Sequence, residues 1–224
     1  MTESLRSGEW QVGQALPSEP KLAARFHVSV GTLRKAVAEL VAEGLLIRHQ
    51  GRGTYVAAHN ASRLFHFFRI VPKQGEKQHP VVELRSFRRA VADDVARQCL
   101  GLERGAPVYQ IEDLLFLSSK PVVLDHLVLP AALFPSLTKS QFRDRASTIY
   151  GLYQSRFGIN VVRTIERLSA VAADSHVAHA LGVRLGAPLL RVRRIAYTFD
   201  QRPVELRTRF VNTDDFDYLS DLDK

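Results

Sequence analysis

Residues 18–43 read SEPKLAARFHVSVGTLRKAVAELVAE, and this stretch decides the fold of the N-terminal part of the chain. Ser18 and Ser29 each precede a helical pattern, and serine is a favoured N-cap because its hydroxyl accepts a hydrogen bond from the first turn. The second pattern runs to about Glu43, with apolar residues at the i, i+4, i+7 and i+8 spacing of one helix face: Leu33, Val37, Leu40 and Val41. The stretch therefore predicts two helices joined by a tight turn.

The residues on either side complete a larger unit. A short helix is predicted from Glu3 to Gly8, and two β-prone runs, residues 45–49 and 54–56, flank a two-glycine turn. This order is typical of a winged helix-turn-helix, whose second paired helix places its N-terminal residues in the DNA major groove. A small helical module with only a structural role is the alternative. The candidate DNA-contacting residues are Ser29, Thr32, Arg34, Lys35, Gln50, Gly51, Arg52 and Gly53.

The composition limits the class of protein. The 224 residues carry 31 Lys and Arg against 23 Asp and Glu, a net charge of +8 that favours nucleic acid or another anionic partner. Residues 1–63 hold only 8 of these basic residues and 5 of the acidic ones, so the excess charge is spread along the chain. The single cysteine, Cys99, excludes an internal disulfide and favours a cytoplasmic location. No apolar run reaches the ~18 residues of a membrane helix.

The N-terminal sequence closely resembles the DNA-binding domain of GntR-family transcriptional regulators. The resemblance implies a winged helix that binds operator DNA as a dimer, with Ser29, Thr32, Arg34 and Arg52 matching the family pattern. Pro20 and Val30 stand where the family usually has arginines, and its first helix usually begins earlier, which implies that this chain starts inside that helix. The segments that carry the resemblance are Ala15-Leu-Pro-Ser-Glu19, Leu22-Ala-Ala-Arg-Phe-His-Val-Ser29, Gly31-Thr-Leu-Arg34, Glu39-Leu-Val-Ala-Glu-Gly-Leu-Leu46 and Gln50-Gly-Arg-Gly-Thr-Tyr-Val56.

The rest of the chain contains an internal repeat. Leu100-Gly-Leu-Glu-Arg-Gly-Ala-Pro107 recurs 81 residues later as Leu181-Gly-Val-Arg-Leu-Gly-Ala-Pro188, with five of eight positions identical. Each copy is predicted to be a helix followed by a long β-hairpin. The two copies predict a pseudo-symmetric sheet with a cleft between related halves. The predicted helices are 91–100 and 175–181, and the predicted strands are 108–117, 122–129, 189–199 and 204–211.

A helix and a strand are predicted between the two copies. Ser147 is the expected N-cap of a helix that ends at Gly158, and an alternating strand follows over residues 160–171. The predicted fold class is therefore α+β: a winged helix-turn-helix, then an antiparallel sheet with helices on one face. We expect the first domain over residues 1–60, a linker over 61–64 and the second domain over 65–224.

Residues 65–220 resemble the UTRA effector-binding domain of HutC-type GntR regulators, which shares its fold with chorismate lyase. Besides the repeat, the resemblance is carried by Leu133-Phe-Pro-Ser-Leu137, Tyr150-Gly-Leu-Tyr153, Phe157-Gly-Ile159 and Arg202-Pro-Val-Glu205. It implies that a small metabolite binds this domain and that Ser86, Asp125, Ser147 and Glu205 contribute to its pocket.

Strand alternation suggests further ligand contacts. Arg207 and Arg209 share a strand face with Glu205 and are able to grip a carboxylate ligand if that face lines the pocket. Sugar-phosphate-binding members carry two arginines on the strand of Asp113, which are absent here. The alternatives stay open: Ser147 as a simple helix cap, Asp125 as an arginine partner, and Arg207 and Arg209 as a solvated face.

The sequence thus predicts a ligand-responsive transcriptional regulator and no enzyme. The expected partners are operator double-stranded DNA, a small effector for which the spare arginines favour an anionic group, and a second copy of the chain. The resemblance also implies a repressor, as most of the family are. No cofactor is expected, and no metal site, because the eight histidines show no HxxxH or HxH spacing. The alternatives are a chorismate-lyase-like enzyme and a non-specific nucleic-acid-binding protein.

Overall fold

The N-terminal unit is a three-helix bundle with a β-hairpin. The computed structural model describes residues 1–11, 13–42, 44–57, 68–145 and 148–220. Helices α1 (Thr2–Arg6), α2 (Glu19–Arg25) and α3 (Val30–Ala42) precede the hairpin strands β1 (Leu46–His49) and β2 (Gly53–Val56). The predicted stripe of α3 faces inward and packs with Trp10, Leu22 and Leu46 in one buried cluster. The winged helix-turn-helix predicted from residues 18–43 is thus the architecture observed.

The caps of these helices agree only partly with the prediction. Ser29 Oγ accepts a hydrogen bond from the Thr32 amide at 3.1 Å, as expected of an N-cap. Ser18 precedes α2, but its side chain makes no capping hydrogen bond. Helix α1 ends at Arg6, before the predicted stop at Gly8, whose positive φ of 75° directs the chain away.

The second unit is a six-stranded antiparallel sheet with the strand order β4-β5-β6-β9-β8-β7. A separate two-stranded sheet pairs β3 with β10. The expected linker, residues 61–64, lies outside the described residues. The elements are β3 (Ile70–Pro72), β4 (Val81–Val91), α4 (Asp94–Leu100), β5 (Pro107–Leu117), β6 (Lys120–Pro130), α5 (Lys139–Arg143), α6 (Ile149–Phe157), β7 (Arg163–Ala172), α7 (Ser175–Leu181), β8 (Pro188–Tyr197), β9 (Pro203–Val211) and β10 (Phe216–Tyr218).

The repeat appears as two strand-helix-strand-strand units. Asp93 caps α4 and Asp174 caps α7 through the same side-chain hydrogen bond, to the amides of Ala96 and Val177. Each helix ends at a left-handed glycine of the repeat. The helix of each copy packs against a strand of the other copy: α4 of the first copy packs against β9, and α7 of the second copy packs against β6. The two halves form the predicted pseudo-symmetric sheet without a break, because β6 and β9 are hydrogen-bonded neighbours. A cleft between the halves therefore has to lie on a face of the sheet.

The helices pack on both faces of this sheet, which corrects the expectation of one face. Side chains alternate along β9, so Glu205 and Leu206 point to opposite faces. Leu206 packs against Leu100 of α4, whereas Glu205 accepts a hydrogen bond from Tyr153 of α6. The sheet is therefore the middle layer, with α4 and α7 below it and α6 above it.

Several predicted boundaries were wrong by a few residues. Val91 ends strand β4 and does not begin the helix, which Asp93 caps. Thr148 caps α6 by accepting from the Gly151 amide at 3.0 Å, in place of the predicted Ser147, which lies outside the described residues. Strand β7 begins at Arg163, and Phe199 lies in a 3₁₀ turn after β8. No helix in the described part of the chain is long and apolar enough to cross a membrane.

Candidate functional site

The predicted DNA-contacting surface is exposed as a whole. All eight candidate residues, at the start of α3 and in the β1–β2 turn, are solvent-exposed. Ser29 and Thr32 Oγ atoms lie 2.9 Å apart at the N-terminus of α3, where main-chain amides favour phosphate oxygens. Tyr55 donates its hydroxyl hydrogen to the carbonyl of Arg52 at 3.1 Å, which fixes the turn that presents Arg52. The surface has the geometry of a recognition helix beside a basic wing.

Arg34 and Arg48 share an acidic partner on this surface. Arg34 Nε donates to Glu19 Oε2 at 2.6 Å, and Arg48 lies 3.5 Å from the other oxygen. The Arg34 side chain is 66% exposed, so this ion pair contributes little to stability and leaves the guanidinium accessible from solvent. Val30, in contrast, is half-buried and packs against the helix core, which limits what it offers to DNA.

The second site is a set of charged side chains buried between the sheet and α6. They come from four neighbouring strands: β5, β6, β9 and β8. All lie on the same sheet face, because cross-strand register partners share a face. Burial of so many ionised groups is rare in a protein interior unless they are paired or functional. The members are Asp113, Asp125, Arg194, Glu205, Arg207 and Arg209, each at most 6% exposed.

Ion pairs hold the centre of this polar cluster. Arg209 binds Asp125 in a bidentate pair, with both nitrogen–oxygen distances at 2.7 Å. Arg207 binds both oxygens of Glu205 at 3.0 Å and reaches Asp125 at 3.3 Å. The guanidiniums of Arg207 and Arg209 are thus engaged with protein carboxylates. An anionic ligand has to compete with these carboxylates.

Helix α6 covers Glu205. Tyr153 donates its hydroxyl hydrogen to Glu205 Oε2 at 2.6 Å, and Tyr150 donates to Oε1 at 3.3 Å. Burial and the nearby Glu205 carboxylate raise the pKa of Tyr150 to about 12, so the phenol stays protonated. Burial opposes ionisation of Asp125, but the Arg209 guanidinium outweighs it and holds the pKa of that carboxyl below its usual value.

Asp113 is the member of the cluster with unused hydrogen-bonding capacity. Its Oδ1 is buried and has no hydrogen-bond partner among the described residues. Its Oδ2 is 3.4 Å from Arg145, and burial raises its pKa to about 6. A buried carboxylate oxygen without a partner is costly, and a ligand donor removes that cost. Asp113 was not among the predicted pocket residues, although it interrupts an apolar strand between Ile111 and Leu114.

One predicted pocket residue, Ser86, does not join this cluster, and another cannot be compared with it. Ser86 is exposed on the edge strand β4, and its register partner on β5 is Glu112. It therefore points to the sheet face opposite Asp113. Ser147 lies outside the described residues, although its neighbour Thr148 begins the helix over the cluster. Asp125, Glu205, Arg207 and Arg209 are brought together. Sequence reasoning missed Tyr150, Tyr153 and Arg145 as contacts because they come from the helix and loop that fold over the sheet.

The buried cluster and the DNA-binding unit are in contact through α6. Gln154, which follows Tyr153, donates to the main-chain oxygen of Ala57 at 3.2 Å, directly after strand β2. Phe199, in the turn between β8 and β9, packs into the core of the helix-turn-helix unit. These two contacts join the second domain to the DNA-binding unit on the side of the wing.

A winged helix joined to a sheet domain with a buried polar site indicates a class of protein: transcriptional regulators with a ligand-sensing domain in the same chain. Comparisons with known proteins agree. Residues 1–56 match the family model described as bacterial regulatory proteins, gntR family, and residues 75–217 match the UTRA domain. The chain belongs to the GntR family of bacterial regulatory proteins, in the group with a C-terminal UTRA domain.

Its relatives are regulators. The "Probable fructoselysine utilization operon transcriptional repressor" of Shigella flexneri is 28% identical over 216 residues, covering 94% of this chain and 86% of the relative. The HTH-type transcriptional regulator Rv0792c of Mycobacterium tuberculosis is 31% identical, covering 87% and 72%. The chain is accordingly a DNA-binding transcriptional regulator, and the comparisons give no support to the enzyme alternative.

Solved structures show the same folds. The ligand-binding domain of a GntR-family regulator from Bordetella bronchiseptica has a TM-score of 0.67 and 36% identity, covering 69% of this chain and 96% of that one. PhnF from Mycobacterium smegmatis has a TM-score of 0.58 over 98% of this chain and 96% of its own. At 24% identity, PhnF supports the two-domain fold alone.

Proposed function

We propose that this chain is a metabolite-responsive repressor that binds operator DNA as a homodimer in the cytoplasm. Residues 1–60 are the DNA-binding domain in this proposal, and residues 65–224 bind the effector and form the dimer. The observation that supports the effector role is the buried polar cluster beneath α6. Burial of ion pairs adds little net stability, and groups of buried charges are typical of binding sites.

The operator surface in this proposal is the exposed set from Ser29 to Lys35 and from Gln50 to Gly53. Ser29 and Thr32 bind phosphates, Arg34 and Lys35 lie towards the major groove, and Arg52 extends from the wing. The remaining positive charge of the chain assists non-specific approach to DNA.

The effector in this proposal carries a hydrogen-bond donor as well as an acidic group. The oxygen Oδ1 of Asp113 needs a donor, such as an ammonium or a hydroxyl. Arg207 and Arg209 are the groups for a ligand carboxylate, in exchange for part of their contacts to Asp125 and Glu205. A zwitterion, which carries both an ammonium and a carboxylate, satisfies both requirements. Fructoselysine, which appears in the name of one relative, is a suitable first compound to test.

Coupling to DNA in this proposal runs through α6. A ligand that contacts Asp113 and Glu205 changes the hydrogen bonds of Tyr150 and Tyr153, and α6 carries that change to Ala57 through Gln154. The ligand then binds one orientation of the DNA-binding domain better than the other, and shifts the population between them.

Operator binding tests the first part of the proposal. Fluorescence anisotropy with a palindromic fragment of the chain's own promoter is compared with random DNA at several salt concentrations. We expect at least ~10³-fold preference for the operator. A ratio near one contradicts the proposal and leaves charge-driven binding.

Effector binding is tested separately by a thermal-shift screen of amino acids, amino sugars and carboxylates. A ligand that binds only the native state raises the melting temperature. We expect a hit to change operator affinity in the unmodified chain. Glu205→Ala should remove that response and retain DNA binding. An unchanged response would exclude Glu205 from the pocket.

A further inference from the structure

Three ligand-type side chains converge on the sheet face opposite the buried polar cluster. Glu112 lies on β5, His126 on the neighbouring β6, and His176 in the first turn of α7. Glu112 Oε2 is 3.0 Å from His126 Nε2 and 2.7 Å from His176 Nε2. One ligand atom from each residue lies within 4.8 Å of the others. The three come from separate elements, so no local histidine spacing in the sequence predicted them.

The donor set is chemically selective. Two imidazoles and one carboxylate suit Zn²⁺ and its neighbours in the first transition series, whereas Mg²⁺ and Ca²⁺ prefer oxygen ligands alone. With metal–ligand bonds of about 2.0–2.1 Å, tetrahedral geometry places ligand atoms about 3.3–3.4 Å apart. The 2.7 and 3.0 Å separations need to open by less than 1 Å. His176 is 60% exposed, which allows that adjustment and leaves room for water at the open position.

The hydrogen-bonding capacity of the three side chains is not fully used, and His126 is the member that shows this. Its Nε2 is buried and, within the described part of the chain, has no hydrogen bond of ordinary geometry despite its closeness to Glu112. The ring is held edge-on by Phe210, with centroids 5.5 Å apart. Thr208 of β9 is the register partner of His126, and Arg193 of β8 is the register partner of Thr208. Two strand spacings therefore place Arg193 about 10 Å from His126 on the same sheet face.

We propose that Glu112, His126 and His176 bind one divalent cation of the zinc class, with water completing the coordination. The ion ties α7 to the two strands of the first repeat copy that carry Asp113 and Asp125. It thus holds the sheet from the side opposite the effector cluster. The proposal is independent of the effector's identity.

Calorimetric titration of the metal-free full chain with ZnCl₂ tests this site. We expect one Zn²⁺ per chain and no saturable heat with MgCl₂. Glu112→Gln, His126→Gln and His176→Gln should each weaken Zn²⁺ binding by at least ~10-fold, in line with the sensitivity of metal sites to their ligand environment. The visible absorption of bound Co²⁺ should be lost in the same three variants.

His179→Gln is the matched control, because His179 is exposed on the same helix one turn later. Its Zn²⁺ affinity should equal that of the unmodified chain. Equal losses in His179→Gln and His176→Gln would overturn the proposal, since they indicate a surface histidine pair on α7. Absence of a saturable Zn²⁺ site would overturn it too, leaving a histidine–carboxylate contact only. Far-UV circular dichroism checks that each variant folds. If His126→Gln does not fold, the Zn²⁺ affinities of Glu112→Gln and His176→Gln decide the test.

Discussion

Substitution of Glu205 by glutamine tests whether the buried polar cluster is held by charge pairing. The Glu205 carboxylate is fully buried and accepts hydrogen bonds from Tyr150, Tyr153 and twice from Arg207. Glutamine keeps the shape, removes the negative charge and presents an NH₂ group to donors. Among the described residues, Arg207 then keeps one carboxylate partner, Asp125, at 3.3 Å, and an uncharged amide oxygen replaces the carboxylate of Glu205.

The expected cost follows from this geometry. Removal of one partner from a buried ion pair costs about 3–5 kcal/mol. Because Arg207 retains Asp125, we expect the lower end, about 3 kcal/mol. For a chain of this size that is a fall in melting temperature of about 6–12 °C. Urea unfolding with two probes locates the effect: far-UV circular dichroism follows the secondary structure of both domains, and fluorescence of Trp10, the single tryptophan, follows the DNA-binding domain.

Two comparisons make the result decisive. Glu83→Gln removes an exposed charge from the same sheet, paired with Arg85 at 2.7 Å, and should change stability by less than about 0.5 kcal/mol. Adding Arg207→Met to Glu205→Gln removes the unpaired charge, so the double variant should lose less than the sum of the two single variants. A loss below 1 kcal/mol in Glu205→Gln, or strict additivity in the double variant, would refute the reasoning.

Four further substitutions test other contacts. Arg34→Ala should weaken operator binding in anisotropy titrations by about 1–3 kcal/mol and leave stability within about 0.5 kcal/mol, because the side chain is 66% exposed; unchanged affinity would mean that the recognition surface is elsewhere. Gln154→Ala should bring the ratio of operator affinities with and without effector towards one, and retention of the full ratio would exclude this link between α6 and Ala57. Asp93→Ala and Asp174→Ala should each cost about 1 kcal/mol in urea unfolding, since they remove equivalent caps; a loss in only one would contradict the equivalence of the two repeat copies.

The parts of the fold that the sequence predicted are those with a strong local signal. The capped helices around Ser29, the glycine-bounded repeat helices and the long hairpins all appear within a few residues of prediction. Strand β4 was missed because it is an edge strand rich in charged residues, and most of its side chains are exposed. It therefore lacks the apolar alternation by which a half-buried strand is recognised. The strands β3 and β10 were missed because each has three residues and pairs across most of the second domain.

The candidate effector site was predictable only along single strands. Alternation correctly placed Glu205, Arg207 and Arg209 on one face, because spacing along a strand determines the direction of its side chains. That Asp125 lies opposite Arg209 follows from the β6–β9 register, which joins residues 84 positions apart. The covering tyrosines depend on how α6 crosses the sheet. Ser86 was expected in the pocket from the family resemblance, and a bulge in β4 after Leu84 directs it to the other sheet face.

The position of the polar cluster argues for a role beyond stability. Hydrophobic residues of similar volume in place of a buried ion pair often leave a protein equally or more stable, so Arg209 and Asp125 are not needed to hold β6 to β9. The cluster lies where the two repeat copies meet, at the β6–β9 junction. Its Glu205 is covered by α6, whose Gln154 donates a hydrogen bond to Ala57. In the proposed mechanism, we therefore expect a ligand there to act on both halves of the sheet and on the DNA-binding domain at once. That placement accounts for charged groups which folding alone does not require.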